Sequence, residues 1–377
     1  MKLLSIEPTP SPNTMKLNVD VRLDSGVWHN YVPEKLGAAP PLIAKLLDVP
    51  GVKAVFHASD FLAIDRKGNA DWAAILDGVK EAFGAAGEGV VSNGLIADGF
   101  GEAVVKVQMF RGIPIQIRVR SGGQEFRAAM PERFSQAVTE AAGATMIRER
   151  KLEELGIRYG EPQEILDEIS RELDAAYSEA RLRDLVAQAI AAGPEAPPPA
   201  PPAPLSADEV SKALEASDWR ERYAALERLK PTPDDLPVIA KALRDSQMSV
   251  RRLAVVYLGD LRTPETLPYL FEALRDSSGA VRRTAGDTLS DMGDPAAIAP
   301  MIGALSDSNK LVRWRAARFL YEIGDETALD ALRAAAGSET EFEVKLQAEM
   351  AVARIERGEE AAGSVWQQMT RMREQQE

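Results

Sequence analysis

Apolar and polar positions alternate along IPIQIRVR, residues 113–120, with Ile113, Ile115, Ile117 and Val119 on one face and Gln116, Arg118 and Arg120 on the other. That is the pattern of a strand with one side against a core. The runs AVVKVQMF and EFRAAM predict further strands, and PERFSQAVTEAAG and EILDEISRELDAAYSEARLRDLVAQAI predict two helices. Residues 1–83 alternate in the same way. KLLSI and MKLNV read as strands, PLIAKLLDV as a short amphipathic helix, GVKAVFHA and FLAID as a hairpin turning at Ser59-Asp60, and ADWAAILDGVKEAF as a second helix. Pro8, Pro10 and Pro12 predict a fixed crossing between the first two strands, because proline gives no donor to an inner ladder.

From residue 206 the pattern becomes helical and repeats every 31 residues. Thr232-Pro233, Thr263-Pro264 and Asp294-Pro295 fall at the same offset, each a capping residue followed by proline, and Asp325-Glu326 continues the series. Behind the caps, Leu267, Leu270, Phe271 and Leu274 recur as Ile298, Met301, Ile302 and Leu305, giving each helix one apolar face. Val250, Val281 and Val312 mark the partner helices, with Trp219 in phase before them. Paired helices repeated in this way predict an all-helical solenoid, expected to fold independently of the rest.

Two stretches divide the chain: the glycine-rich residues 85–101, and the Pro/Ala-rich residues 193–205, read as a semi-rigid polyproline spacer holding its neighbours apart. The expected organisation is 1–84, a small antiparallel sheet with covering helices; 102–192, a second α+β segment; 206–357, the repeats; and 358–377, a helical tail.

The repeats ALRDSQMSVRRLAVVYL, ALRDSSGAVRRTAGDTL and ALSDSNKLVRWRAARFL resemble short HEAT repeats of the type found in bilin lyases. The resemblance implies that Asp245 and Arg251, Asp276 and Arg282, and Asp307 and Arg313 form a structural charge ladder between repeats. The neighbouring Arg252, Arg283 and Arg315 are then candidates to line the concave face and grip an acidic protein partner. Glu7, Thr9, Pro10, Pro12, Asn13 and Lys16, with GVKAVFHASDFLAID, resemble the N-terminal domain of Nfu-type iron–sulfur scaffold proteins. FRGIPIQI, MPERF, RERK and IRYGE resemble the middle part of the conserved virulence factor C family, which carries the three parts in this order.

Composition narrows the chemistry. With no cysteine, disulfides, thiolate nucleophiles and Cys-ligated zinc or iron–sulfur clusters are excluded, so no cofactor is expected. His29 and His57 are the only histidines, and His57 is read as an exposed residue on the hairpin. No phosphate loop, nucleophile elbow or zinc-binding helix motif occurs. A net charge of −13 argues against nucleic-acid binding, and the lack of a long apolar run against a membrane span, giving a cytoplasmic reading. Val104 to Gly160 is locally basic, with ten Lys and Arg against six Glu. Arg148, Arg150, Lys151 and Arg158, with Tyr159, are candidate partner-binding residues or a solvated helical face. The leading expectation is a non-enzymatic adaptor: the repeats bind a protein, and the N-terminal domain docks on iron–sulfur assembly or client proteins. The alternative is a middle segment that binds or transforms a small anionic ligand through Arg133, Arg148, Lys151, Arg158 and Tyr159.

Overall fold

The computed structural model describes residues 1–8, 14–23, 27–33, 39–67, 70, 72–84, 100–121, 124–141, 150–192 and 199–358. The chain forms two compact units, residues 1–102 together with the last two helices, and Ala103–Ala328.

In the first unit β1 (Leu3–Pro8), β2 (Thr14–Val19), β3 (Trp28–Tyr31), β4 (Val52–Ala58) and β5 (Phe61–Arg66) form an antiparallel sheet in the order β1-β2-β5-β4-β3. Met15, Leu17, Val55, Leu62 and Ile64 point to one face, as period-two alternation dictates, and pack with Ile43 and Leu46 of α1 (Pro41–Asp48) and Ile75 and Val79 of α2 (Trp72–Ala82). Pro8 closes β1, an edge strand, where its missing donor breaks no inner ladder. Pro10 and Pro12 lie outside the described residues. Helices α14 (Leu329–Ser338) and α15 (Phe342–Glu356) belong to this unit, with Phe342 against the same core.

β3 carries too short a signal to read from sequence, and it corrects the expectation for the histidines. It places His29 directly across from His57, and His57 is 4% exposed with no hydrogen-bond partner for Nε2. The register puts it on the same face as Val55 and Leu62. Burial, and secondarily His29, holds the His57 imidazole below its ordinary pKa of 6.5. A depressed pKa contributes stability above the unfolded value and loses it as pH falls through the folded one. Amide exchange in β4 and β5 is therefore expected to accelerate as pH drops from about 6.5 towards 5, after correction for intrinsic rates, and His57→Leu should flatten that dependence. An unchanged dependence in the variant would contradict this account of His57.

The second unit opens with a sheet ordered β8-β7-β6-β9, from β6 (Glu102–Phe110), β7 (Ile113–Ser121), β8 (Gln124–Ala129) and β9 (Arg150–Tyr159). α3 (Glu132–Ala141) and α4 (Pro162–Ala176) pack on β7, and α5 (Glu179–Ala192) packs on α3. Arg111, in the β6–β7 turn, donates to the carbonyls of Ala141 and Ala189, 3.3 and 2.9 Å away, and so terminates two helices at once. The single long helix expected after residue 164 is two helices, with the first ending at Tyr177. The charged run from residue 150 is a strand and not a helical face.

The repeats follow as helix pairs α6 (Ala207–Ala213) and α7 (Trp219–Leu226), α8 (Leu236–Ala242) and α9 (Met248–Leu261), α10 (Leu267–Ala273) and α11 (Gly279–Met292), and α12 (Ile298–Ala304) and α13 (Lys310–Glu322). The Thr-Pro and Asp-Pro pairs open short 3-10 turns, Pro233–Asp235, Pro264–Thr266 and Pro295–Ala297, from which α8, α10 and α12 continue. Three expectations need correction. α7 starts 29 residues before α9, so Trp219 is equivalent to Met248 and not to Val250. The stack is also not independent: α4 of the middle segment packs on α7 and α9. The proline stretch, described from Pro199, does not hold its neighbours apart. Arg228 donates twice to the Ala203 carbonyl, at 2.9 and 2.8 Å, and Leu205 N donates to Arg228 O at 3.0 Å, so the end of the stretch is tied to the turn that follows α7.

Candidate functional site

The ladder residues come first, because they set the spacing of everything beside them. Arg222, Arg251 and Arg282 each place Nε 2.7 Å from a carboxylate oxygen of the next repeat, Asp245, Asp276 and Asp307 respectively. A second nitrogen lies 2.8, 2.8 and 2.9 Å from the other oxygen, so each contact is bidentate. The six-residue spacing has a separate meaning. Arg251, Arg282 and Arg313 donate to the backbone carbonyls of Asp245, Asp276 and Asp307 in their own repeats, at 2.9, 2.8 and 2.9 Å. Each aspartate meanwhile caps the chain two residues on, at Gln247, Ser278 and Asn309. Arg222 is the ladder member that sequence reading missed, because the 29-residue first interval takes it out of phase.

The residues one or two places beyond the ladder arginines tell a different story. Arg252, Arg283 and Arg315 are 4, 6 and 7% exposed, so the expectation of a solvent-facing arginine row is corrected. The acidic surface they meet lies in the same chain. Arg252 Nη2 is 2.8 Å from Glu172 Oε1 of α4. Arg283 reaches Glu168 at 3.2 Å and Glu164 at 3.1 Å on the same helix. Arg315 lies 2.6 Å from Asp287 of α11 and 4.7 Å over the ring of Tyr159.

Geometry explains the match. Neighbouring packed helices sit about 8–10 Å apart, and a helix rises about 1.5 Å per residue, so one repeat corresponds to roughly six residues of a helix laid across the stack. The contacts step from Glu172 at Arg252, through Glu168 and Glu164 at Arg283, to Glu161 at Lys310 of α13, 3.4 Å away. α4 thus runs across the repeats against chain order, presenting Glu164, Glu168 and Glu172 at four-residue spacing on one face. The sequence signal for it was present in that spacing. The four-residue interval simply does not match the 31-residue one until the helices are crossed.

The stretch IRYGE at the end of β9 threads the same seam. Arg158 donates to Glu172 at 3.1 Å, so that one buried carboxylate holds two guanidinium groups. Tyr159 lies under Arg315. A Cβ at Gly160 would lie 3.3 Å from Arg283 Nη2 and 3.2 Å from Ile165 Cγ1, so glycine leaves the space through which Arg283 enters. Burial pushes the Glu168 carboxyl up despite Arg283 and Arg252 nearby, and it pushes Asp287 up to about 6 against the pull of Arg315. Burial and the neighbouring Arg252 lower Arg158. The seam is a low-dielectric network in which every charge depends on its neighbours.

Of the other candidates, Arg148 lies outside the described residues. Arg150 and Lys151 are exposed at the start of β9. Arg133 clamps Asp174 at 2.8 Å and lies over Phe134 in a different groove. The residues proposed for an anionic ligand are therefore not gathered around one space. Arg158 and Tyr159 do line a cavity of about 500 Å³ beside Arg252 and Arg283, and Glu168 and Asp287 share its wall. Among the described residues no group of three or more His, Asp or Glu is placed to hold a metal ion, and no helix is long and apolar enough to cross a membrane.

Family comparisons fall on the same three parts. Residues 4–88 match the family described as Scaffold protein Nfu/NifU N terminal, residues 108–186 match Virulence factor, and residues 207–286 and 267–353 match HEAT repeats. The seam joins the second of these to the third. "Uncharacterized protein YpgR" of Bacillus subtilis (strain 168) is 54% identical over 377 residues, 99% of this chain and 99% of that protein. "Conserved virulence factor C" of Staphylococcus aureus (strain NCTC 8325 / PS 47) is 46% identical over 374 residues, 98% and 99% of the two chains. Among solved structures, protein SAV1430 from Staphylococcus aureus is 34% identical, covering 22% of this chain and 99% of its own, with a TM-score of 0.21. On this near-full-length likeness, the chain belongs to the conserved virulence factor C family.

Proposed function

We propose that the protein is a non-enzymatic scaffold of the cytoplasm. The repeat solenoid uses its arginine row to hold the chain's own middle segment, and the Nfu-type N-terminal unit docks on iron–sulfur assembly or client proteins. The observation that carries this reading is the seam: Arg252, Arg283 and Arg315 are occupied, in step with the repeats, by α4 and the end of β9. A solenoid whose inner charges are satisfied from within acts as a rigid body, and its contacts to other proteins are left to other surfaces. The likeness of residues 4–88 to Nfu and NifU scaffold proteins supports the assignment of the docking role.

Quantitative affinity capture from the source cells tests the reading. The intact chain should retain iron–sulfur assembly or client proteins, and a chain lacking residues 1–84 should lose them. Charge reversal at the exposed Arg150 and Lys151 should leave that set unchanged. Recovery of the same proteins with and without residues 1–84 would overturn the docking assignment.

A further inference from the structure

β9 is the outermost strand of its sheet, and among the described residues no strand pairs with its free edge. Native edges are blunted by brevity, proline, charged side chains, bulges or a covering element; β9 carries charges and the Gly156 turn, and what matters is how those charges are ordered. β9 is ten residues long and has no proline. Three of the seven large apolar side chains left exposed among the described residues are here: Leu152, Leu155 and Ile157, at 50, 43 and 51%. At Gly156 the backbone turns to φ 89°, a left-handed conformation that separates two halves of the strand. The half after it enters the seam through Arg158 and Tyr159. The half before it, Arg150 to Leu155, is exposed at every residue.

The charge order of that exposed half is its own complement. It reads Arg150, Lys151, Leu152, Glu153, Glu154: two cations, an apolar residue, two carboxylates. Laid antiparallel against a second copy about a two-fold axis through Leu152, Arg150 faces Glu154 and Lys151 faces Glu153, and Leu152 meets Leu152. Both faces of the sheet agree, because residues opposite one another in an antiparallel pair share a face. Arg150, Leu152 and Glu154 take one side, and Lys151 and Glu153 take the other. Glu154 lies 3.2 Å from Lys106 of β6, which fixes it on the open side of the sheet. A shift of the axis by one residue to either side sets Lys151 opposite Lys151 or Glu153 opposite Glu153, so the pattern selects one register.

We propose that the protein self-associates through the free edge of β9, joining two four-stranded sheets into one eight-stranded sheet across an isologous two-fold contact. The partner is a second copy of this chain, recognised by backbone pairing and by four cross-strand ion pairs. The short contact predicts a concentration-dependent dimer that weakens with salt.

Sedimentation equilibrium of the full chain tests this with two charge variants. Arg150→Glu/Lys151→Glu makes the strip wholly acidic, and Glu153→Lys/Glu154→Lys makes it wholly basic. The wild type should dimerise, each variant alone should weaken dimerisation by at least about tenfold, and an equimolar mixture of the two should restore it as a heterodimer. Restoration in the mixture also shows that both variants are folded. A wild type that stays monomeric up to the highest concentration, variants that dimerise like the wild type, or a mixture that stays monomeric would each overturn the proposal.

Discussion

Replacing Glu172 by alanine is expected to destabilise the Ala103–Ala328 unit by about 3–5 kcal/mol, as measured by reversible denaturant unfolding. Glu172 is 6% exposed and its carboxylate is shared by Arg252 at 2.8 Å and Arg158 at 3.1 Å. Removing it strands Arg252, itself 4% exposed, without its compensating charge. The cost comes mainly from the guanidinium left behind, since a buried pair as a whole adds little net stability. Two controls separate that cause from lost packing. Glu172→Gln keeps an acceptor and should lose less, and adding Arg252→Met to Glu172→Ala should recover part of the loss because the orphaned charge goes with it. A loss below about 1 kcal/mol, the range of an exposed pair, would mean that the seam is solvated.

The second large effect is expected on removing the middle segment. A chain starting at Leu205 leaves Arg252 and Arg283 without Glu172, Glu168 and Glu164, and it uncovers the faces of α7 and α9 on which α4 packs. Tyr223 of α7, 5% exposed, would lose its cover together with them. The expected result is a loss of about 5 kcal/mol or more relative to Ala103–Ala328, with a lower melting temperature for α7 and α9 than for the helices further along the stack. Stability in a solenoid passes between neighbours, so damage at the first repeats should fade with distance. A fragment from Leu205 that melts at the temperature of the longer chain would show the solenoid to be autonomous.

How much of this could be read in advance depends on the range of the interactions involved. Strands β6, β7 and β8, the β4–β5 hairpin and the repeats from Leu236 were legible, because alternation and the 31-residue period are local patterns that burial enforces. β3 was not, having only four residues and no alternation long enough to register. β9 was misread because its charges fit the i,i+4 pairing of a helix as well as an exposed edge strand, and no buried face arbitrates between the two. The arginine row was found, but its occupant was not: nothing local in Arg252 or Arg283 says that the carboxylates 80 and 115 residues earlier are their partners. The same holds for the ladder, where the six-residue spacing reported a backbone contact within each repeat and the carboxylate contact ran to the next one. The acidic spacing of α4 and the stretch IRYGE were both visible as sequence, and only the crossing of α4 over the repeats gives them their meaning.

Differential scanning calorimetry of the chain from Glu102 to Ala328 tests most directly whether the repeats and the middle segment are one body joined by that seam. The account predicts a single transition whose calorimetric and van't Hoff enthalpies agree, and which Glu172→Ala shifts downward as a whole. Two transitions, with Glu172→Ala moving only the one that reports the α+β segment, would contradict it.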